Sequence, residues 1–171
     1  MTVAESSLAQ FQTDIDKWMA ENVPKNPGFL LPLTFLEVGT EQQLDFLRDW
    51  QHKLWQAGFL GMHWPTEYGG QGADPAYQGL VDKALTAHNA PIIFNTMGLN
   101  WTGPLLLDVG TEDDRKRYIK NILTGDDIWC QGFSEPDHGS DLRNVQTLAV
   151  RDGDEYVFNC SKVWTTLGNY A

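Results

Sequence analysis

Apolar positions along the first part of the chain recur at helical spacing and fall into separate runs. Ser7 and Gln10 form an S-x-x-Q capping pair, and Leu8, Phe11, Ile15 and Trp18 follow on one face. That pattern predicts a first helix, stopped by Pro24 and Pro27-Gly28. After a loop, Thr40 and Gln43 form a second capping pair, and Leu44, Leu47, Trp50 and Leu54 give the next stripe, with Gly58 suited to its C-terminal end. The stretch GMHWPTEYGGQGADP, residues 61–75, predicts a loop without regular structure. Residues 76–88 read as a helix. Residues 91–109 read as a buried apolar helix interrupted near Gly103-Pro104. Thr111 caps a last helix with Glu112, Asp113 and Asp114 in its first turn, where the helix dipole favours acids. Tyr118, Ile119, Ile122 and Leu123 give it a core face, and Gly125 ends it.

Beyond residue 126 the periodicity changes. Residues 128–133 predict a strand. Residues 145–151 and 155–160 flank Asp152-Gly153, a strong hairpin signal, and residues 161–166 begin a further strand. The fold class is therefore α+β: an N-terminal all-α helical bundle over residues 1–125, then the first strands of an antiparallel β-barrel-like domain over residues 126–171. So few strands cannot close a barrel and leave open edges. The expectation is that further polypeptide or a partner completes the sheet.

The 171 residues are 42% apolar and 20% charged, a globular composition. Acids outnumber bases 23 to 12, for a formal net charge of -11, which argues against nucleic acid or an anionic membrane surface as partner. No apolar run reaches membrane-spanning length. The first ten residues, MTVAESSLAQ, lack the basic start and apolar run of an export leader. Cys130 and Cys160 match no metal or redox spacing and read as two buried reduced thiols, which fits a cytoplasmic protein. The four histidines are scattered, and no metal site is expected.

The densest chemistry lies in WCQGFSEPDHGSDLRN, residues 129–144. A serine nucleophile elbow fits poorly. In Gly132-Phe133-Ser134-Glu135-Pro136 a proline replaces the second glycine that the strained turn requires, and a hairpin rather than a helix follows. A cofactor cradle fits better, because the loop belongs to an ordered series. Phe133-Ser134-Glu135-Pro136 is followed by Gly139-Ser140-Asp141, then Asp152-Gly153-Asp154, then Lys162-Val163-Trp164-Thr165-Thr166.

This series resembles the acyl-CoA dehydrogenase family, whose middle domain carries a T/S-E-P-x-x-G-S-D loop followed by a K-x-W-I/T-T segment. Residues 65–70, Pro-Thr-Glu-Tyr-Gly-Gly, and Gly110-Thr111-Glu112 agree with it upstream. The resemblance runs from about residue 8 onward. It implies an FAD-dependent enzyme that introduces a Cα–Cβ double bond into an acyl-CoA thioester and passes electrons to an acceptor such as an electron-transfer flavoprotein. It also implies a homo- or hetero-oligomer. Carried over by position, Phe133 and Ser134 lie against the flavin, with Ser134 donating to its pyrimidine edge. Trp164 packs beside the isoalloxazine, Thr166 approaches N5, and Gln131 lies near the ring. Ser140 touches the CoA arm. Glu135 ties the loop down and is not the base. No catalytic base is expected in this chain, since the family's glutamate belongs to a C-terminal helical domain.

The family implies an acyl pocket near residues 92–101, where Phe94, Thr96, Met97 and Asn100 could shape it; plain helix packing explains them equally well. Taken singly, Trp164 reads as core, Thr166 as a strand threonine and Ser140-Asp141 as a turn. Two departures from the family stand out. Asp137-His138-Gly139 replaces Gly-Ala-Gly, and Asn159-Cys160 replaces Asn-Gly, where a positive φ would cost cysteine about 1 kcal/mol. Two other readings remain open: an oxidase or flavin monooxygenase of the same fold, and a non-catalytic partner subunit or binding module of a flavoprotein complex.

Overall fold

The computed structural model describes residues 7–25 and 27–171. The expectation about an export leader falls mostly on residues outside that set. The chain divides into two compact units, one up to Trp129 and one over Cys130–Ala171.

The first unit is helical. Its α-helices are α1 (Leu8–Asn22), α2 (Glu41–Gln56), α3 (Ala76–Ala87), α4 (Gly103–Val109) and α5 (Glu112–Thr124). Helix α1 packs on α3, while α5 packs on both α2 and α4. Phe11, Ile15 and Met19 of α1, Trp50 and Leu54 of α2, Val81 of α3 and Ile119 of α5 meet in one core. Each of these positions follows from its helical stripe.

The helix ends follow from local chemistry. Ser7 Oγ and Thr40 Oγ1 each accept from a backbone N–H three residues on, at 3.2 Å in both cases. Their glutamine partners do not complete the reciprocal bond. Gln10 donates to Asp14, and Gln43 accepts from the Gly39 N–H instead. Thr111 and Asp114 do form a full capping box at the start of α5. Helix α2 ends as expected at Gly58, φ +79°, with the Gly58 N–H on Trp55 O and the Phe59 N–H on Leu54 O, both 2.9 Å.

The loop of residues 61–75 departs from the expected irregular connection. It contains a 3-10 turn, Thr66–Tyr68, and it supplies core: Met62, Trp64 and Tyr68 are buried. The Trp55 indole donates to Gly69 O at 3.0 Å, and the Tyr68 hydroxyl donates to Glu112 Oε2 at 2.7 Å. Glycines let this loop approach α4 closely. A Cβ at Gly103 would stand 2.2 Å from the Trp64 ring.

Residues 91–109 are not one buried helix. Residues 91–95 are irregular, and helical structure begins at residue 96. Gly98–Thr102 forms a π-helical turn, in which the Gly103 N–H reaches back five residues to Gly98 O. Pro104 has no N–H to give the regular ladder, and the wider turn accommodates it. Nor is the run buried throughout, since Trp101, Leu105 and Val109 are exposed.

The second unit holds one antiparallel pair, β1 (Leu148–Asp152) and β2 (Glu155–Asn159). Leu148 pairs with Asn159 and Asp152 with Glu155, so Gly153-Asp154 is the two-residue turn, with Gly153 at φ +63°. The strands expected over residues 128–133 and 161–166 do not form a ladder. A single backbone bond joins them, Val163 N–H to Ser134 O at 2.9 Å, and Trp164 at φ +59° leaves the extended conformation. Neither Asn159 nor Cys160 has positive φ, so the strain anticipated there is absent. The thiols differ from expectation too: Cys130 is half-buried, Cys160 is exposed, and both are free.

Candidate functional site

The site in the second unit is built by two segments held side by side. Glu135 and His138 exchange backbone bonds across Pro136-Asp137, with Glu135 N–H to His138 O at 2.9 Å and His138 N–H to Glu135 O at 3.1 Å. This tight turn presents the Glu135 carboxylate inward, where only 6% of the residue is exposed. The carboxylate gathers donors from the rest of the unit. The Gln146 N–H reaches Oε2 at 2.6 Å, and the Thr147 N–H and Lys162 Nζ reach Oε1 at 3.0 Å each, joined there by the Thr147 hydroxyl. Together the Thr147 hydroxyl, the Gln146 N–H and the Lys162 ammonium hold its pKa down to about 2. A carboxylate so occupied is a structural anchor and a poor proton acceptor, as its sequence position suggested.

Lys162 extends the clamp, because its Nζ also donates to Phe133 O at 3.0 Å. Phe133 and Ser134 are thereby bound to Lys162 and Val163, one residue before Trp164. The two aromatic side chains of the group remain open: Phe133 is 53% exposed and Trp164 is 90% exposed. Trp164 and Leu167 both have positive φ, at +59° and +62°. A bulky residue held in that region costs about 1 kcal/mol or more, and such strain gathers at functional sites. Gln131, Ser134 and Thr166 are half-buried, and Ser140 is exposed. No hydrogen bond ties Gln131, Ser140 or Thr166 into the clamp among the described residues. The structure thus brings Phe133, Ser134 and Trp164 together and leaves the other three positions to sequence order alone.

A second feature lies in the first unit. A cleft of about 280 Å³ opens between α3, residues 60–64 and residues 93–100. Leu60, Trp64, Ile93 and Leu99 form its apolar walls, and His63, Gln78, Asp82, Thr96 and Asn100 bring polar atoms to it. Of the residues expected near an acyl pocket, Thr96 and Asn100 line this cleft. Phe94 does not; it is fully buried as core.

Behind the cleft is a polar cluster that sequence reasoning missed. Gln51 and Asn95 are fully buried. Gln51 Nε2 donates to Ile122 O and Leu123 O, both at 3.0 Å, where the end of α5 leaves carbonyls unpaired. Asn95 Nδ2 donates to Ile122 O at 3.1 Å and Asp127 O at 2.9 Å, while its Oδ1 accepts from the Trp129 N–H at 3.3 Å. The only sequence signal was an asparagine within an apolar run. Among the described residues no group of three or more histidine, cysteine or acidic side chains could hold a metal ion. No helix there is long and apolar enough to cross a membrane.

A helical unit whose Gly-rich loop is part of its core, followed along the chain by a carboxylate-clamped loop and a hairpin, defines an α+β protein. Residues 33–126 match the family model described as "Acyl-CoA dehydrogenase, N-terminal domain". The chain belongs to the acyl-CoA dehydrogenase family. It is 34% identical to acyl-CoA dehydrogenase IpdE1 of Mycolicibacterium smegmatis over 96% of its own length, and spans 44% of that relative. Among solved structures it resembles the ChsE4-ChsE5 complex from Mycobacterium tuberculosis, with TM-score 0.73 and 28% identity over the whole chain and 42% of the other. It also resembles the Tcur3481-Tcur3483 steroid ACAD, with TM-score 0.69 and 33% identity over 92% of this chain and 39% of that one.

Proposed function

We propose that the chain is the N-terminal region of an FAD-dependent acyl-CoA dehydrogenase that introduces a Cα–Cβ double bond into an acyl-CoA thioester. The observation that carries this reading is the bond from the Val163 N–H to Ser134 O, 2.9 Å, which sets Phe133 and Ser134 beside the Lys162–Trp164 segment. The residues present fit a flat aromatic cofactor: two open aromatic side chains flank a serine on a loop anchored by a buried carboxylate. When bound, FAD supplies the two-electron acceptor for the reaction. Trp164 would help hold the ring and shield it from water. Ser134 offers hydroxyl and N–H donors where negative charge develops. Thr166 and Gln131 complete the ring contacts, Ser140 meets the CoA arm, and the cleft in the helical unit receives the acyl group. The proton acceptor is supplied from outside these residues.

The relatives support further points. The steroid ACAD and the ChsE4-ChsE5 complex are each named for two components, which supports an oligomeric assembly of like or unlike chains. The word steroid in one of those names places a ring-bearing acyl group first among substrates to try. An electron-transfer flavoprotein as acceptor and a cytoplasmic location complete the proposal.

The test is to express the uninterrupted gene product, record its visible spectrum and add a panel of straight-chain and ring-bearing acyl-CoA thioesters without oxygen. Flavin bands that bleach with one class of thioester are expected. A colourless protein, or a flavin that no thioester reduces, overturns the reading.

A further inference from the structure

The cleft's chemistry selects among acyl groups, and this inference rests on the proposal that the cleft receives one. Its polar atoms are unevenly charged. Asp82 lies on α3, and Gln78, one turn earlier, donates from Nε2 to Asp82 Oδ1 at 3.0 Å. This i, i+4 bond holds both side chains on the face that lines the cleft. The bond leaves Asp82 Oδ2 and Gln78 Oε1 available as acceptors on residues that line the cleft. No lysine or arginine lines the cleft, and His63 is the one other ionisable side chain among its lining residues. The apolar walls, including Leu60 and Leu99, suit a hydrocarbon body.

We propose that Asp82, held by Gln78, is a specificity-determining residue. It favours acyl groups whose far end carries a neutral hydrogen-bond donor such as a hydroxyl, and it rejects those that end in a carboxylate. A ligand hydroxyl can donate to the Asp82 carboxylate and form a charge-assisted bond. A ligand carboxylate there meets a like charge and brings no donor, so its entry is opposed by repulsion and by desolvation. Asp82 is exposed, which screens the repulsion and keeps the discrimination modest.

The test uses the complete flavin-loaded enzyme and the thioester that reduces the flavin fastest in the panel above. That acyl-CoA is compared with its distal hydroxy and distal carboxy derivatives at pH 8, where an ordinary imidazole is neutral. The parent enzyme is expected to rank them hydroxy, unsubstituted, carboxy by kcat/KM. Asp82→Asn is expected to raise the carboxy-to-unsubstituted ratio about three- to tenfold, mainly through KM, and Asp82→Lys to raise it further. Gln78→Ala, which frees the aspartate, should blunt the hydroxy preference. If both Asp82 variants leave the ratios within twofold of the parent, the inference falls while the dehydrogenase reading stands. If no thioester in the panel reduces the flavin, both fall.

Discussion

Replacing Asn95 by leucine keeps the branched four-atom outline, with bulkier ends, and removes every polar bond the amide makes. Its consequence can be worked group by group. Ile122 O keeps a donor, because Gln51 Nε2 also reaches it at 3.0 Å. Asp127 O and the Trp129 N–H lose the side-chain partners that now stand at 2.9 and 3.3 Å. Each buried group left unpaired costs about 1–3 kcal/mol. Both bonds are only partly buried, so the lower half of that range, about 1–2 kcal/mol, applies to each. The sum is about 2–4 kcal/mol, a large share of the stability of a domain this size. At a urea m-value of about 2 kcal/mol/M, the midpoint should fall by about 1–2 M at an unchanged slope. Urea unfolding followed by tryptophan fluorescence and far-UV circular dichroism measures this. Gln51→Leu, which orphans Leu123 O and the Asn95 N–H that reaches Gln51 Oε1 at 3.4 Å, should cost a similar amount. The double variant should cost more than the sum, because either side chain alone still serves Ile122 O and only the loss of both orphans it. A midpoint for Asn95→Leu within about 0.3 M of the parent would refute the view that the amide clamp holds the exit from α5.

Four further outcomes are expected. The Glu135 carboxyl titrates in the folded chain at about 2, against an ordinary 4.5, so its contribution is complete above pH 4.5 and fades as pH falls towards 2. The amide signals of Gln146 and Thr147 should lose protection across that window, and Glu135→Gln should flatten the change. Gly103→Ala drives a methyl into the Trp64 ring and should destabilise by about 1–3 kcal/mol, read by thermal melting. Thr111→Ala dismantles the α5 capping box and should cost about 1 kcal/mol by the same measurement. Trp164→Ala should change stability by no more than about 0.5 kcal/mol, its side chain being exposed, while weakening flavin retention in the complete protein.

What the sequence disclosed was set by distance along the chain. Helices α1, α2, α3 and α5 were legible because stripe, cap and stop all lie within a few turns of one another. The Gly-rich loop was legible as a loop, but its glycines signal irregular backbone and not whether Met62 and Trp64 beside them are buried. Residues 91–109 misled for a related reason: apolarity marks a preference for burial without fixing the helical period, and Pro104 requires a local widening that composition does not reveal. The strand expected at residues 128–133 failed because alternation alone cannot supply a paired neighbour. In the site, motif order pointed to Phe133, Ser134 and Trp164, but the reach of Lys162 back to Glu135 spans 27 residues and appears only in three dimensions. Gln51 gave no warning and Asn95 only that of an asparagine within an apolar run, since a buried amide is intelligible only beside the carbonyls it satisfies.

The π-helical turn at Gly98–Thr102 gives this protein a way to change by length. Such a turn carries one residue more than an α-helix would use over the same rise. Deleting one residue there would restore ordinary winding while the segments on either side keep their orientation. Leu106 and Leu107 would keep their seats against the core, and the change would fall on the turn itself, which presents Leu99 and Asn100 to the cleft. A one-codon loss would thus reshape what the cleft admits without disturbing the bundle beneath it.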